Sequence, residues 1–150
     1  KFARENGWTE TLFGRRRYFP EIASNLEYVK KEAERMAVNM PIQGTSADFI
    51  KLAMVRADKA LAEAGLKDYA RMLLQIHDEL LFEIKEELIA KAAPIIKDAM
   101  ESVYPLKSKE EKELLAEQFK KTDLPDAPLV VNVETGDYWE EMFPFGQGKK

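Results

Sequence analysis

The chain has 150 residues, 45% of them hydrophobic and 33% charged, with a formal net charge of −4. That length suffices for one modest core, is short for two independent domains, and carries a composition that is globular, not disordered. With no cysteine and a single histidine, His77, the sequence excludes a disulfide scaffold and thiolate or multi-histidine metal sites, and it shows neither a secretory leader nor the roughly 20 apolar residues of a membrane span.

Residues 1–6 read as the last turn of a helix, with Gly7 where a helix-ending glycine belongs. A start inside an element, without Met, predicts a chain cut from something longer. Residues 8–13 alternate in polarity and lead through Gly14 into Arg15-Arg16-Arg17-Tyr18, which predicts a hairpin with three arginines near its turn. From Tyr28 the period turns helical, and Val29, Ala33, Met36, Ala37 and Met40 make an apolar stripe. Pro41 lacks an N–H and disfavours helical geometry before it, so a break or kink is expected there, with a second at Gly44. Thr45-Ser46-Ala47-Asp48 has capping-box spacing, with Asp in place of Glu or Gln, and predicts a second helix to about Ala64, ended by Gly65.

Two short apolar runs, 71–76 and 80–84, flank His77-Asp78-Glu79 and predict a β-hairpin with three ionisable residues at its tip. Residues 86–104 read as an amphipathic helix stopped by Pro105. Residues 107–126 are charge-rich with a weak helical pattern and read as an exposed surface insertion. Residues 129–133 form a last β run, followed by Gly136, Tyr138-Trp139 and a polar tail, flexible over about 143–150. The predicted fold class is α+β, a small antiparallel sheet with helices packed on one face.

Charge is uneven along the chain, with a net of +3 over residues 1–60 and −7 over the remainder. A basic front half can face a polyanion while the rear stays acidic and soluble, although a randomly mixed surface gives the same arithmetic. Asp78 and Glu79, flanked by leucines at the rim of a sheet, repel each other unless a cation offsets them. Oxygen ligands of this kind suit a hard ion such as Mg²⁺; a solvated acidic turn is the plainer alternative. Arg35, Asn39 and Gln43 recur every fourth residue. Such a row of hydrogen-bonders can be an ordinary wet helix face, but it also suits phosphates and the minor-groove acceptors that every base pair presents alike.

Taken in order, Thr11-Leu12-Phe13-Gly14-Arg15-Arg16-Arg17-Tyr18, Ala33-Glu34-Arg35-Met36-Ala37, Asn39-Met40-Pro41-Ile42-Gln43-Gly44-Thr45, Ala47-Asp48 and Gln75-Ile76-His77-Asp78-Glu79-Leu80 resemble the carboxy-terminal part of family A (DNA polymerase I-like) DNA polymerases. Pro128-Leu129, Gly136 and Trp139 look like that family's last strand. The resemblance spans nearly the whole chain apart from 107–126 and the tail.

It implies a palm subdomain that is part of a larger polymerase, with Asp78 as a catalytic metal ligand and Glu79 assisting. It also implies that His77 lies by the primer terminus, that Arg35, Asn39 and Gln43 contact primer and template, and that Arg15 and Arg17 meet the DNA backbone. Two Mg²⁺ ions about 4 Å apart would then lower the barrier for a primer 3′-hydroxyl to attack an α-phosphate. The family's second palm Asp and its fingers helix are not in this sequence. The expected partners are therefore primer–template DNA, deoxynucleoside triphosphates and an amino-terminal portion of the same polymerase, in a cytoplasmic, nucleoid-associated setting if cellular. The chain alone is expected not to polymerise. The alternative from another class is a non-catalytic primer–template-binding module. A His-Asp phosphohydrolase is discarded for want of further histidines.

Overall fold

The computed structural model describes residues 1–104 and 128–146. Its first turns follow local rules. Phe2–Asn6 forms α1, and Gly7 ends it in the left-handed region at φ 75°, donating its N–H to the Ala3 carbonyl at 2.8 Å. Only a residue without Cβ takes that conformation freely. The expected hairpin follows as β1 (Trp8–Glu10) and β2 (Arg16–Tyr18), with Glu10 opposite Arg16 and Thr9 opposite Arg17.

The next helix departs from expectation. α2 runs unbroken over Glu27–Glu63 with Pro41 inside it, so neither Pro41 nor Gly44 ends a helix and Thr45 caps none. An interior proline costs about 3 kcal/mol. Met40, Ile50 and Leu61 are all buried along α2, and burying each contributes about 1.5–3 kcal/mol. Their sum exceeds the proline penalty, and the helix continues. Gly65, at φ 69°, closes the segment, with the Leu66 N–H returning to Leu61 O at 2.8 Å.

The chain divides into two compact units, and among the described residues there are two clusters of buried apolar side chains instead of the one core that length implies. Within residues 1–51, Phe19, Ile22, Ala33, Ala37 and Met40 pack together, joined by Ala3 and Met36. Arg4 forks onto Glu34 with two bonds of 2.7 Å, tying α1 to α2.

The other unit takes in described residues 52–104 and 128–146. Here β3 (Ala70–Ile76) and β4 (Glu79–Ile84) form the expected antiparallel hairpin. Its register shifts between Met72 and Leu74. A short 3-10 turn, Glu86–Leu88, leads into α3 (Ile89–Glu101), which is shorter than the 86–104 read from the pattern. Leu61, Leu66, Ala70, Ala92 and Ile96 form the core here, with Phe82 and Ile84 of β4 against it, so the helices cover one face of the hairpin.

The last β run is displaced. Residues 129–133 form no strand; instead β5 (Glu134–Thr135) pairs with β6 (Phe143–Pro144). The cause is local. The Val131 N–H donates to Glu101 Oε1 at 2.9 Å and its carbonyl accepts from Lys97 Nζ, so two side chains of α3 occupy backbone groups a neighbouring strand would use. β6 also means that the segment expected to be a flexible tail is paired at its start. Residues 147–150 and the charged insertion at 107–126 lie outside the described residues. The fold is α+β with antiparallel strands, as read from the sequence, arranged among the described residues as three two-stranded ribbons. No described helix is long and apolar enough to cross a membrane.

Candidate nucleic-acid and metal site

Two groups of polar side chains stand out, one in each unit. The first lies on α2 and the β1–β2 hairpin. Because α2 is continuous, Arg35, Asn39 and Gln43 do share one side of a single helix, spanning about 12 Å of its axis at 1.5 Å per residue. All three are exposed. Asn39 and Gln43 line a depression of about 240 Å³ together with Arg15, Arg17, Met36, Met40 and Gly44.

The arginines are placed differently from one another. Arg17 reaches in from β2, its Nη2 at 3.8 Å from Met36 Sδ and its guanidinium 5.2 Å from the Phe19 ring centroid. It makes no ion pair among the described residues, which leaves its charge available. Arg15 is committed, with Nε donating to Asp48 Oδ1 at 2.8 Å and Nη2 to the Gly44 carbonyl at 3.0 Å. Arg35 is not among the residues lining the depression. It forks onto Glu32 at 2.6 and 3.1 Å, which raises the arginine's pKa and holds the Glu32 carboxyl below its usual value. The pair is exposed, so solvent and salt weaken it and a phosphate can displace the glutamate.

The second group sits at the β3–β4 turn. Ile76 faces Glu79 across the ribbon, so the connection is the two residues His77 and Asp78, and Glu79 opens β4 instead of lying in a three-residue tip. His77 takes φ 52°, in the left-handed region that a two-residue hairpin turn demands at its first position and usually fills with glycine. Its carbonyl accepts from Gln75 Nε2 at 2.6 Å. The side chains of His77, Asp78 and Glu79 are exposed and have no hydrogen bond or ion pair among the described residues. Asp78 and Glu79 line a groove of about 590 Å³ together with residues that include Leu81, Val133, Trp139 and Met142.

The donor set at this turn fits part of a hard-cation site. Two adjacent, unpartnered carboxylates offer oxygens of the kind Mg²⁺ prefers. No group of three His, Cys, Asp or Glu residues that could hold a metal occurs among the described residues, so the set is incomplete within them.

Sequence spacing singled out neither Glu32 nor the tie between Arg15 and Asp48. The first is an i,i+3 pair that charge patterning can find. The second joins residues 33 positions apart and has no periodic signal.

A model of DNA polymerase family A matches residues 1–141. The chain is 43% identical over 138 residues to a thermostable DNA polymerase I of Thermus filiformis, covering 92% of this chain and 14% of that protein. It is 44% identical over 138 residues to DNA polymerase I of Mycobacterium tuberculosis strain H37Rv, covering 92% of this chain and 13% of the relative. Among solved structures it is similar to the POL domain of Pol1 from M. smegmatis in complex with DNA primer-template and dNTP. That match has a TM-score of 0.66 and 48% identity, over 70% of this chain and 18% of the other. The chain thus spans about one seventh of the length of the curated relatives it matches.

Proposed function

The chain belongs to DNA polymerase family A, and from that premise we propose that it is the carboxy-terminal palm portion of a template-directed DNA polymerase, which adds deoxynucleotides to a primer 3′ end. In this reaction the primer 3′-oxygen bonds to the α-phosphorus of a deoxynucleoside triphosphate, the bond to pyrophosphate breaks and the hydroxyl proton is lost. Asp78, with Glu79 beside it, would hold Mg²⁺ together with an Asp outside this chain. Two such ions, when bound, supply charge neutralisation at the phosphates and a more acidic primer hydroxyl. The rest is positioning.

Arg17, Asn39 and Gln43 give a cation and two amide side chains on one surface, a combination that suits a phosphate and the acceptors shared by all base pairs. Arg35 joins them on exchanging Glu32 for a phosphate. His77 stands at the tip, beside the primer terminus. The amino-terminal portion of the polymerase is the expected partner of the β3–β4 ribbon. A two-stranded hairpin is marginal by itself, and here Leu73 and Leu74 are about half exposed.

The observation that carries this reading is the pair of exposed carboxylates at a strained turn with no structural partner among the described residues. In a chain that only binds DNA, acidic groups beside phosphates weaken binding. The non-catalytic module is therefore the weaker alternative.

Mg²⁺-dependent primer extension tests the reading in two mixtures, the chain alone and the chain with an amino-terminal family A segment carrying the other palm Asp and the fingers. Extension in the second mixture only is the expected result. Primer–template binding without extension in either mixture would favour the binding module.

A further inference from the structure

The β1–β2 loop is fastened to α2 at several points. Arg15 donates to Asp48 at 2.8 Å and to the Gly44 carbonyl at 3.0 Å. The Leu12 N–H donates to Thr45 Oγ1 at 2.8 Å. The backbone of Thr11 and Arg15 closes the loop with a 3.0 Å bond, and Thr11 Oγ1 accepts from the Arg15 N–H at 3.2 Å. Gly44 permits the approach, since a Cβ there would stand 2.6 Å from Thr11 Cγ2. Asp48 is buried, and its Oδ2 has no hydrogen-bond partner. Among the described residues Arg15 is the one cation paired with this buried carboxylate, and the two are costly to separate.

Arg17 lies in β2, two residues beyond Arg15 at the end of the loop, and lines the same depression as Asn39 and Gln43. We propose that Arg15 and Asp48 are positioning residues for DNA binding: their ion pair, seated against Gly44, fixes β2 on α2 so that Arg17 meets the same stretch of DNA as Asn39 and Gln43. This rests on the polymerase reading and reassigns Arg15 from a backbone contact to a clamp. The planar fork of arginine matters, because one side chain must reach a carboxylate and a carbonyl at once; a lysine carries the charge without that geometry.

Primer–template binding by the full 150-residue chain across a salt series tests the clamp, at a temperature where circular dichroism shows each variant folded. Asp48→Ala removes a negative charge, which by simple electrostatics strengthens binding to a polyanion. The clamp requires the opposite, a loss of about tenfold, the cost of ordering the loop at the moment of binding while Arg17 still reaches its phosphate. Arg15→Ala and the double variant should lose no more than that, because the two residues act as one unit. Arg15→Lys should fail to restore affinity. In these variants the slope of log K against log salt stays at the wild-type value, whereas Arg17→Ala lowers it by about 0.9, one phosphate contact.

Three results would overturn the proposal. Unchanged or tighter binding by Asp48→Ala, with a lower salt slope in Arg15→Ala and rescue by lysine, makes Arg15 a direct phosphate contact. A lower melting temperature with unchanged affinity makes the pair merely structural. Failure of the wild-type chain to bind primer–template removes the DNA-binding surface that the pair would position, and the clamp with it.

Discussion

Thr45 donates its hydroxyl hydrogen to the carbonyl of Pro41, one helical turn earlier, at 2.5 Å. The same oxygen accepts the Leu12 N–H. One hydroxyl therefore serves the helix at its proline and anchors the loop that packs there. Thr45→Val keeps the shape and removes both bonds, leaving a part-buried N–H unpaired. A loss of about 1–3 kcal/mol is expected in urea unfolding, with Thr45→Ser recovering most of it.

Gly44→Ala sets two effects against each other. Alanine favours a helix interior by about 1 kcal/mol over glycine. Its Cβ would meet Thr11 Cγ2 at 2.6 Å, and Thr11 is buried with its hydroxyl holding the loop, so it cannot turn away cheaply. Overpacking costs about 1–3 kcal/mol, so net destabilisation is expected. Thr11→Ser in the same chain removes the methyl and should reverse the sign, a result that paired melting curves can read directly.

His77 occupies the left-handed region at φ 52°. Asparagine tolerates that conformation and a β-branched residue does not. His77→Asn should leave unfolding stability near wild type, while His77→Val loses about 1–2 kcal/mol. If histidine is at the turn for its side chain, both variants slow primer extension in the complemented polymerase. Activity following stability would make the position a matter of turn geometry alone.

The acid limb of stability is expected to have a component from Glu34. The hydrogen bond from Arg4 holds its carboxyl below the ordinary value of 4.5. A carboxyl lowered in the folded state stabilises above its unfolded pKa, and that contribution is lost as pH falls through the folded value. Denaturant midpoints of Glu34→Gln should therefore differ from wild type at neutral pH and converge with it in acid. Because the pair is exposed, high salt should narrow the neutral-pH difference.

Much of the fold follows from local chemistry that a sequence displays. Gly7 and Gly65 ended helices as their placement required, and the apolar runs on either side of His77-Asp78 paired as a hairpin. Pro41 sits inside a helix against expectation because its penalty is visible in sequence while the burial that outweighs it is not. Residues 129–133 have strand-like side chains, but Glu101 and Lys97 took the backbone groups of Val131. At the candidate site, Asn39, Gln43 and Arg17 were legible and come together; the pairing of Arg35 with Glu32 and of Arg15 with Asp48 depends on side-chain geometry that spacing does not encode.

The most direct measurement is the single-turnover rate of primer extension by the complemented polymerase carrying Asp78→Asn, with primer–template affinity recorded on the same protein. Asparagine keeps the size and removes the negative charge. If Asp78 holds a catalytic Mg²⁺, the rate falls by about a thousandfold while DNA affinity is unchanged or slightly tighter. Extension within a few fold of the wild-type rate would contradict the assignment of Asp78 to metal-dependent catalysis.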